Sequence, residues 1–386
     1  MKIAVGVPSY READNISFVT TQVDKGLCLL RDKLPIFNNA AIFNIDNESD
    51  YGTTQVFEAT QTVFPKYSIK SHGTPGKGKN VLAFFREVSK SDYDIVLTFD
   101  SDLKSIEPDW ILKFISPFID DDCDFVAPIY ERSRFEGSTT NHFAYPLIYA
   151  FFGKDIRQPI AGDFAMSIDF VRHVLSCQTP KEAERYGIDI FLTIQANLFS
   201  GLIKQIKLGQ KIHKPSFSKL EAMFPQVAAS ALEALRQENI APIDFSAKQS
   251  MEICISDRKD FPHVLLANEL LVRQRQKLRK NISNIFWLDN DRESVLNYLN
   301  SDNIYFTKDI WADVFSKWLL FSLVHSEQDS FELANQLLPL FVFRAVSFWN
   351  KVANDVPLKV EDEIRSQARL IRERVASGAS RFKKLE

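Results

Sequence analysis

Over the first 130 residues the apolar positions fall into short, nearly continuous runs separated by segments with a helical period. The runs are residues 2–7, 40–44, 67–71, 95–99 and 124–128. Such runs predict strands buried on both faces of a sheet. Between them, residues 15–30, 53–63 and 79–88 repeat apolar side chains at helical spacing, and Asp14 stands where it can cap the first helix. Strand and helix alternating at this pitch predict βαβ units in a largely parallel sheet. Right-handed crossovers then gather the loops after the strands on one rim.

The pattern changes near residue 219. Residues 222–237, 261–280, 291–300, 308–325, 331–352 and 361–384 read as helices, with no strand signal and no internal repeat. The expectation is an α/β domain over 1–220 followed by an α-helical domain over 221–386. Residues 337–348 are strongly apolar, which suits the core of a bundle or, alternatively, a homodimer interface. The basic segment 361–384 reads as a solvated helix face.

A chain of 386 residues is long for one domain, and its 45% hydrophobic content is enough to give each of two domains a core. The formal net charge of −3 gives no reason to expect nucleic acid as a partner. Cys28, Cys123, Cys177 and Cys254 have neither metal nor redox spacing, which fits reduced thiols and a cytoplasmic location. The N-terminal apolar run suits a first strand better than a leader, and no stretch is long enough to span a membrane.

The chemistry concentrates at strand ends. Asp100-Ser101-Asp102 closes the run 95–99, where ligands of open α/β sheets gather. Two acids one residue apart can hold a hard divalent cation that keeps positions open for phosphate oxygens; a solvated acidic loop is the plainer alternative. Val7-Pro8-Ser9-Tyr10-Arg11-Glu12 lies on the same rim, with groups suited to a base and ribose. Gly73-Thr74-Pro75-Gly76-Lys77-Gly78-Lys79 leads into a helix, so its amides, with Lys77, can meet phosphate. Its spacing is not that of a Walker A loop. His213 is either a further ligand of a Mn²⁺-type ion or a loop residue. Asp163 and Asp189 each lie near a glycine and are suited to accepting bonds from sugar hydroxyls.

In order, these are Val-Pro-Ser-Tyr-x-Glu, Pro-Gly-Lys-Gly, Phe-Asp-Ser-Asp-Leu with Glu-Pro-Asp-Trp-Ile behind it, Gln-Pro-Ile-Ala-Gly-Asp, Tyr-Gly-Ile-Asp and a late histidine. Over residues 1–225 the series resembles the retaining GT-A glycosyltransferases of the mannosylglycerate synthase and glucosyl-3-phosphoglycerate synthase type. Gly162-Asp163 departs mildly, since that group usually carries Gly-Glu. The resemblance implies a GT-A, Rossmann-like fold and a cytoplasmic enzyme. It would move a hexosyl group from a nucleotide-diphosphate sugar (GDP-mannose, or UDP- or GDP-glucose) to a small acidic acceptor such as glycerate or 3-phosphoglycerate, with Mn²⁺ or Mg²⁺.

Carried over by residue, the resemblance implies Asp102 and His213 as metal ligands and Asp100 toward the ribose or metal. It puts Pro8, Tyr10, Glu12, Lys77 and Gly78 at the nucleotide. Asp163 falls at the donor sugar, and Asp189 at the sugar and acceptor. Arg132, Arg134, Thr139 and Thr140 occupy the stretch where the family binds its acceptor. The competing expectations are an inverting family-2-like transferase and a non-catalytic nucleotide-sugar-binding protein. The first usually carries Gln-x-x-Arg-Trp and a Glu-Asp base; the former does not occur, and the one Glu-Asp pair, Glu361-Asp362, lies far outside the stretch 1–225.

Overall fold

A computed structural model describes all residues except 48–50, 122, 200–201, 215–218, 239–248, 251, 259–263, 301–304 and 383–386. The chain separates into two compact units, one of residues 1–130 and 160–215, the other of residues 131–159 and 216–386.

The first unit is built on a seven-stranded sheet in the order β3-β2-β1-β4-β6-β5-β7. Its chain runs β1 (Lys2–Ser9), α1 (Ile16–Lys33), β2 (Asn39–Asp46), α2 (Thr53–Ala59), β3 (Lys66–Lys70), α3 (Lys77–Val88), β4 (Ile95–Thr98), α4 (Asp109–Asp120) and β5 (Phe125–Glu131). The next helix, α5 (Tyr145–Phe152), lies in the second unit. The first unit resumes with β6 (Phe164–Ser167), α6 (Ile168–Ser176), α7 (Ile188–Phe199) and β7 (Ile203–Gln210). β1 pairs in parallel with β2 and β4, and β2 with β3, as the alternating pattern predicts. β6 runs antiparallel to both β4 and β5.

The pattern of apolar runs does not reveal β6 or β7. β6 has four residues, too few for a period, and β7 (Ile-Lys-Gln-Ile-Lys-Leu-Gly-Gln) is half-exposed and rich in polar side chains. Two local expectations are also corrected. Asp14 does not cap α1: it is exposed and pairs with Lys214 at 3.0 Å, while Asn15 holds the cap position. α2 stops at Ala59 rather than 63, because Asp24 accepts the backbone amides of Val63 and Phe64 and draws that segment off the helix.

The second unit contains α5, α8 (Leu220–Gln237), α9 (Val264–Asn281), α10 (Arg292–Asn300), α11 (Lys308–Val324), α12 (Ser330–Val352) and α13 (Pro357–Phe382). A π-helical turn, Thr140–Ala144, leads into α5. The expected boundary near 220 therefore misses an excursion, residues 131–159. Its apolar side chains and Arg157 are buried among the C-terminal helices, with α5 against α13 and the Trp311 indole donating to His142 O. The apolar run 337–348 is buried within this unit as core rather than presented as a face. The solvated-face reading of 361–384 holds for only one side of the described helix, where Arg369 and Arg374 are exposed or half-buried. Glu361, Glu363, Arg365 and Gln367 on α13 are all buried, because each finds a polar partner inside the unit. No described helix is long and apolar enough to cross a membrane.

Candidate active site

The loop after β4 carries Asp100-Ser101-Asp102 and is pinned from two sides. Asn15, at the start of α1, donates from Nδ2 to the carbonyls of Ser101 and Leu103, both at 2.8 Å. The segment after β7 is fastened to the same loop, with Lys104 N donating to Ile212 O at 2.8 Å and Ile212 N donating to Ser105 Oγ at 2.9 Å. The fold thereby sets Lys211 beside Asp100, 111 residues earlier.

Asp100 lies between two lysines. Lys77, the first residue of α3, stands 2.8 Å from its Oδ1, and Lys211 stands 3.0 Å from its Oδ2. Lys77 also reaches Asp189 at 3.1 Å, and Lys211 reaches Asp163 at 2.7 Å. Burial alone would raise the Asp100 pKa, but the two ammonium groups outweigh it and hold the carboxyl well below the usual range. Burial would likewise depress Lys77, and the charges of Asp100 and Asp189 instead keep it above the ordinary lysine value.

Asp163 closes the back of this chain. It is fully buried and accepts from Asp100 N at 2.8 Å, from Tyr130 Oη at 2.7 Å and from Lys211 Nζ. Its lone pairs are thus directed at the protein, and it orients Asp100 and Lys211 from behind rather than facing a sugar. Asp189, at the start of α7, has its pKa raised by burial and by Asp100 despite Lys77.

Asp102 differs from the others. It makes no hydrogen bond or ion pair with any described residue, and burial, then the Asp100 charge, push its pKa up to about 6. The cluster counts two lysines against Asp100, Asp102, Asp163 and Asp189, a formal balance of minus two. A half-buried carboxylate left without an ion-pair partner is a place for a cation. Among the described residues, no three His, Cys, Asp or Glu side chains are gathered into a ready metal cage. His213 Nδ1 lies 2.7 Å from Lys214 O and donates to it if that nitrogen carries the proton.

The glycines act differently from expectation. Gly78 N donates to Arg185 O at 2.9 Å, and a Cβ there would meet Ala183 O at 1.8 Å. Gly78 therefore lets the loop pack on residues 183–185, and its amide is not available to a phosphate. Gly162 is the glycine the site itself needs. Its φ is +90°, and a Cβ would lie 2.3 Å from Asp100 Oδ2.

On the rim after β1, Pro8 is buried in the strand, while Tyr10 is exposed. Glu12 is held by Lys214 at 2.6 Å and by its amide to Thr53 Oγ1. Pattern reasoning misses Lys211, Tyr130, Arg11 and Tyr51. Arg11 has φ +60°, rare for a side-chain-bearing residue, and its guanidinium lies 5.1 Å from the Tyr10 ring centre and 4.4 Å from that of Tyr51. Lys211 sits two residues before His213 and resembles an ordinary loop lysine. Only its partners mark it.

The four acceptor-stretch residues belong to the second unit. Arg132 and Thr140 line a small cleft with Glu136, Asn141 and Arg157. Arg134 does not: it is fully buried and donates to the carbonyls of Val352 and Asp355 at the end of α12, so it cannot meet an acceptor. Thr139 precedes the π-helical turn.

Residues 4–172 match the family model described as glycosyl transferase family 2. The chain is a glycosyltransferase with a GT-A domain. Over 248 residues this glycosyltransferase is 26% identical to glucosyl-3-phosphoglycerate synthase of Mycolicibacterium paratuberculosis, covering 60% of this chain and 71% of that protein. The protein of the same name from Mycobacterium tuberculosis is 25% identical, covering 60% and 72%. A solved structure of the M. tuberculosis enzyme, with Mn²⁺, uridine diphosphate and glucosyl-3-phosphoglycerate, aligns at a TM-score of 0.48 and 24% identity over 60% of this chain and 79% of that one.

Proposed function

We propose that this glycosyltransferase moves a hexosyl group, glucose foremost, from a nucleoside-diphosphate sugar to glycerate or a phosphoglycerate, with Mn²⁺ or Mg²⁺ held at Asp102. The observation that carries the donor half is the uncompensated carboxylate of Asp102 beside the Lys77–Asp100–Lys211 chain. The names of the two relatives support the sugar and the acceptor.

Asp102 fits a divalent cation because it is a hard oxygen donor with no other partner. His213 Nε2 is the second protein ligand on this reading. When bound, the cation would neutralise charge on the departing diphosphate. Lys77 can exchange a carboxylate for a phosphate oxygen and so take part of the same charge. Asp100 stays ionised between its lysines and faces the ribose. Asp163 and Tyr130 hold Lys211 and Asp100 in register. Tyr10, Arg11 and Tyr51 offer stacking surfaces for the base, with Glu12 fixed beside them. Asp189 turns to the sugar once Lys77 is drawn to phosphate. Arg132 and Thr140 are the side chains we assign to the acceptor's charge. Four free cysteines fit a reducing, cytoplasmic setting.

We read the transfer as retaining, as the resemblance implies; the burial of Asp163 against protein donors, which leaves it no role as a base, is compatible with that. The family 2 match favours the inverting reading instead, and the anomeric configuration of the first-formed product, read by NMR, decides between them. The donor site is tested by calorimetry. Uridine and guanosine diphosphates should bind the wild type far more tightly with Mn²⁺ than without, and Asp102→Asn should abolish that difference. A mutant that keeps the full metal dependence sinks the assignment. His213→Ala should raise the Mn²⁺ concentration needed for half-maximal turnover.

A further inference from the structure

The second unit holds a cavity of about 220 Å³ between the start of α11 and one side of α12. That is room for several waters, or for a small ligand. Its wall carries three cations, Lys308, Arg344 and Lys351. All three converge on one carboxylate outside the lining, Glu363, at 3.5, 3.2 and 2.7 Å. Asp309 is the one acid among the described residues of the wall. Among the described residues, three cations against two carboxylates leave the cluster one positive charge in excess.

The excess lies where water is scarce. Arg344 is almost wholly buried, and desolvation outweighs Glu363 so far that its pKa is pushed down to about 10. Glu363 has only two oxygens for three donors, so the ammonium groups of Lys308 and Lys351 each keep N–H bonds unmade by it. Thr307 caps α11 by accepting from Ile310 N, and the first-turn residues Lys308 and Asp309 line the same wall, so the positive end of a 17-residue helix adds to the field.

We propose that this cavity is a binding site for a small phosphate-bearing dianion, separate from the donor site. Arg344 supplies a planar donor fork at its base, Lys308 and Lys351 supply mobile point charges, and α11 supplies its amide end. That combination suits the tetrahedral oxygens of a phosphate better than a single carboxylate. The volume admits inorganic phosphate or a short phosphate ester.

The test is calorimetric titration of the full chain with inorganic phosphate and, separately, malonate, at matched ionic strength. The readout is repeated on Lys308→Met, Lys351→Met, their double variant, Lys351→Arg and Lys77→Ala. Saturable phosphate binding is expected in the wild type. Each Lys→Met change should weaken it roughly tenfold, the loss of one charge-assisted hydrogen bond. Lys351→Arg and Lys77→Ala should retain it. Melting without phosphate should show Lys351→Met at least as stable as wild type, because it removes an excess charge, so weakened binding cannot be put down to misfolding. Absence of saturable binding, unchanged affinity in the Lys→Met variants, loss confined to Lys77→Ala, or equal affinity for malonate overturns the proposal.

Discussion

Two buried charge clusters, one in each unit, differ in their balance. In the helical unit, Arg157 and Arg365 face Glu361 and Asp155. Arg157 and Glu361 meet at 2.7 Å, Arg365 and Glu361 at 2.9 Å, and Arg365 and Asp155 at 3.0 Å. Two cations and two anions cancel, and Tyr145 and Asn141 take remaining bonds. In the GT-A unit, Lys77 and Lys211 face four carboxylates and leave Asp102 without a partner. The GT-A cluster is the more open, with Lys77, Asp100 and Asp189 14–23% exposed against 3–10% in the helical unit, but Lys211 and Asp163 are as buried as any, so burial alone does not separate structure from function here. The sign of the residue left over does. A cluster that closes on itself holds helices together, and a cluster that ends on an unanswered charge is waiting for a ligand of the opposite sign.

The comparison breaks first if removing a carboxylate has the same effect in both places. Glu361→Gln should be the most damaging change, because it leaves two buried guanidinium groups with one carboxylate between them. The expected loss is about 3–5 kcal/mol of stability, the usual consequence of breaking a buried pair. Denaturant unfolding of the full chain measures it. A loss under about 1 kcal/mol, the range of a solvated surface pair, would mean that the network's balance carries no meaning.

The second test is on the lysine that links the acids. Lys77→Ala should weaken diphosphate binding by about 1.5–3 kcal/mol, the range for hydrogen bonds to charged groups. Binding of the nucleoside without phosphates should change little. Calorimetry with uridine and uridine diphosphate reads both numbers. Equal losses would place Lys77 at the base or in the scaffold and remove the reason for treating the acid-rich cluster as a phosphate site.

How much of this is legible in the sequence depends on whether a residue acts through its neighbours along the chain or across the fold. The parallel strands β1 to β4 are legible because each is a run of apolar side chains ended by turn residues. The Asp100–Asp102 pair and Lys77 are legible because a strand end and a helix start mark them. β6 is too short to show a period, and β7 alternates with lysines like a surface segment. Lys211 carries no local mark at all: its meaning comes from Asp100 and Asp163, 111 and 48 residues away. Asp163 and Arg134 mislead for the same reason. An acid beside a glycine and an arginine in a loop look available in sequence, and both are fully buried against partners the sequence does not display.

The smallest expected effect is the most specific, because its sign is opposite to that of Glu361→Gln. Asp102 has its pKa raised from 3.8 to about 6 by burial and by Asp100. A raised carboxyl pKa means that the folded state prefers the protonated acid. In metal-free protein its contribution is therefore fully present below about pH 4, and it is lost as pH rises through 6. At pH 7 the ionised group destabilises the fold, at a rate of about 1.4 kcal/mol for each tenfold difference in proton affinity between the folded and unfolded chain. Partial exposure holds the total to roughly 1–2 kcal/mol. Asp102→Asn should then unfold at higher denaturant than wild type at pH 7, and the two should converge as the pH falls toward 4. Adding Mn²⁺ should raise the wild type and leave the variant unmoved, since a ligand stabilises only the state that binds it. Denaturant curves at pH 4, 5, 6 and 7, with and without Mn²⁺, contain the whole prediction. If Asp102→Asn is less stable than wild type at pH 7 without metal, Asp102 has a partner in the protein, and the leftover charge on which the site rests does not exist.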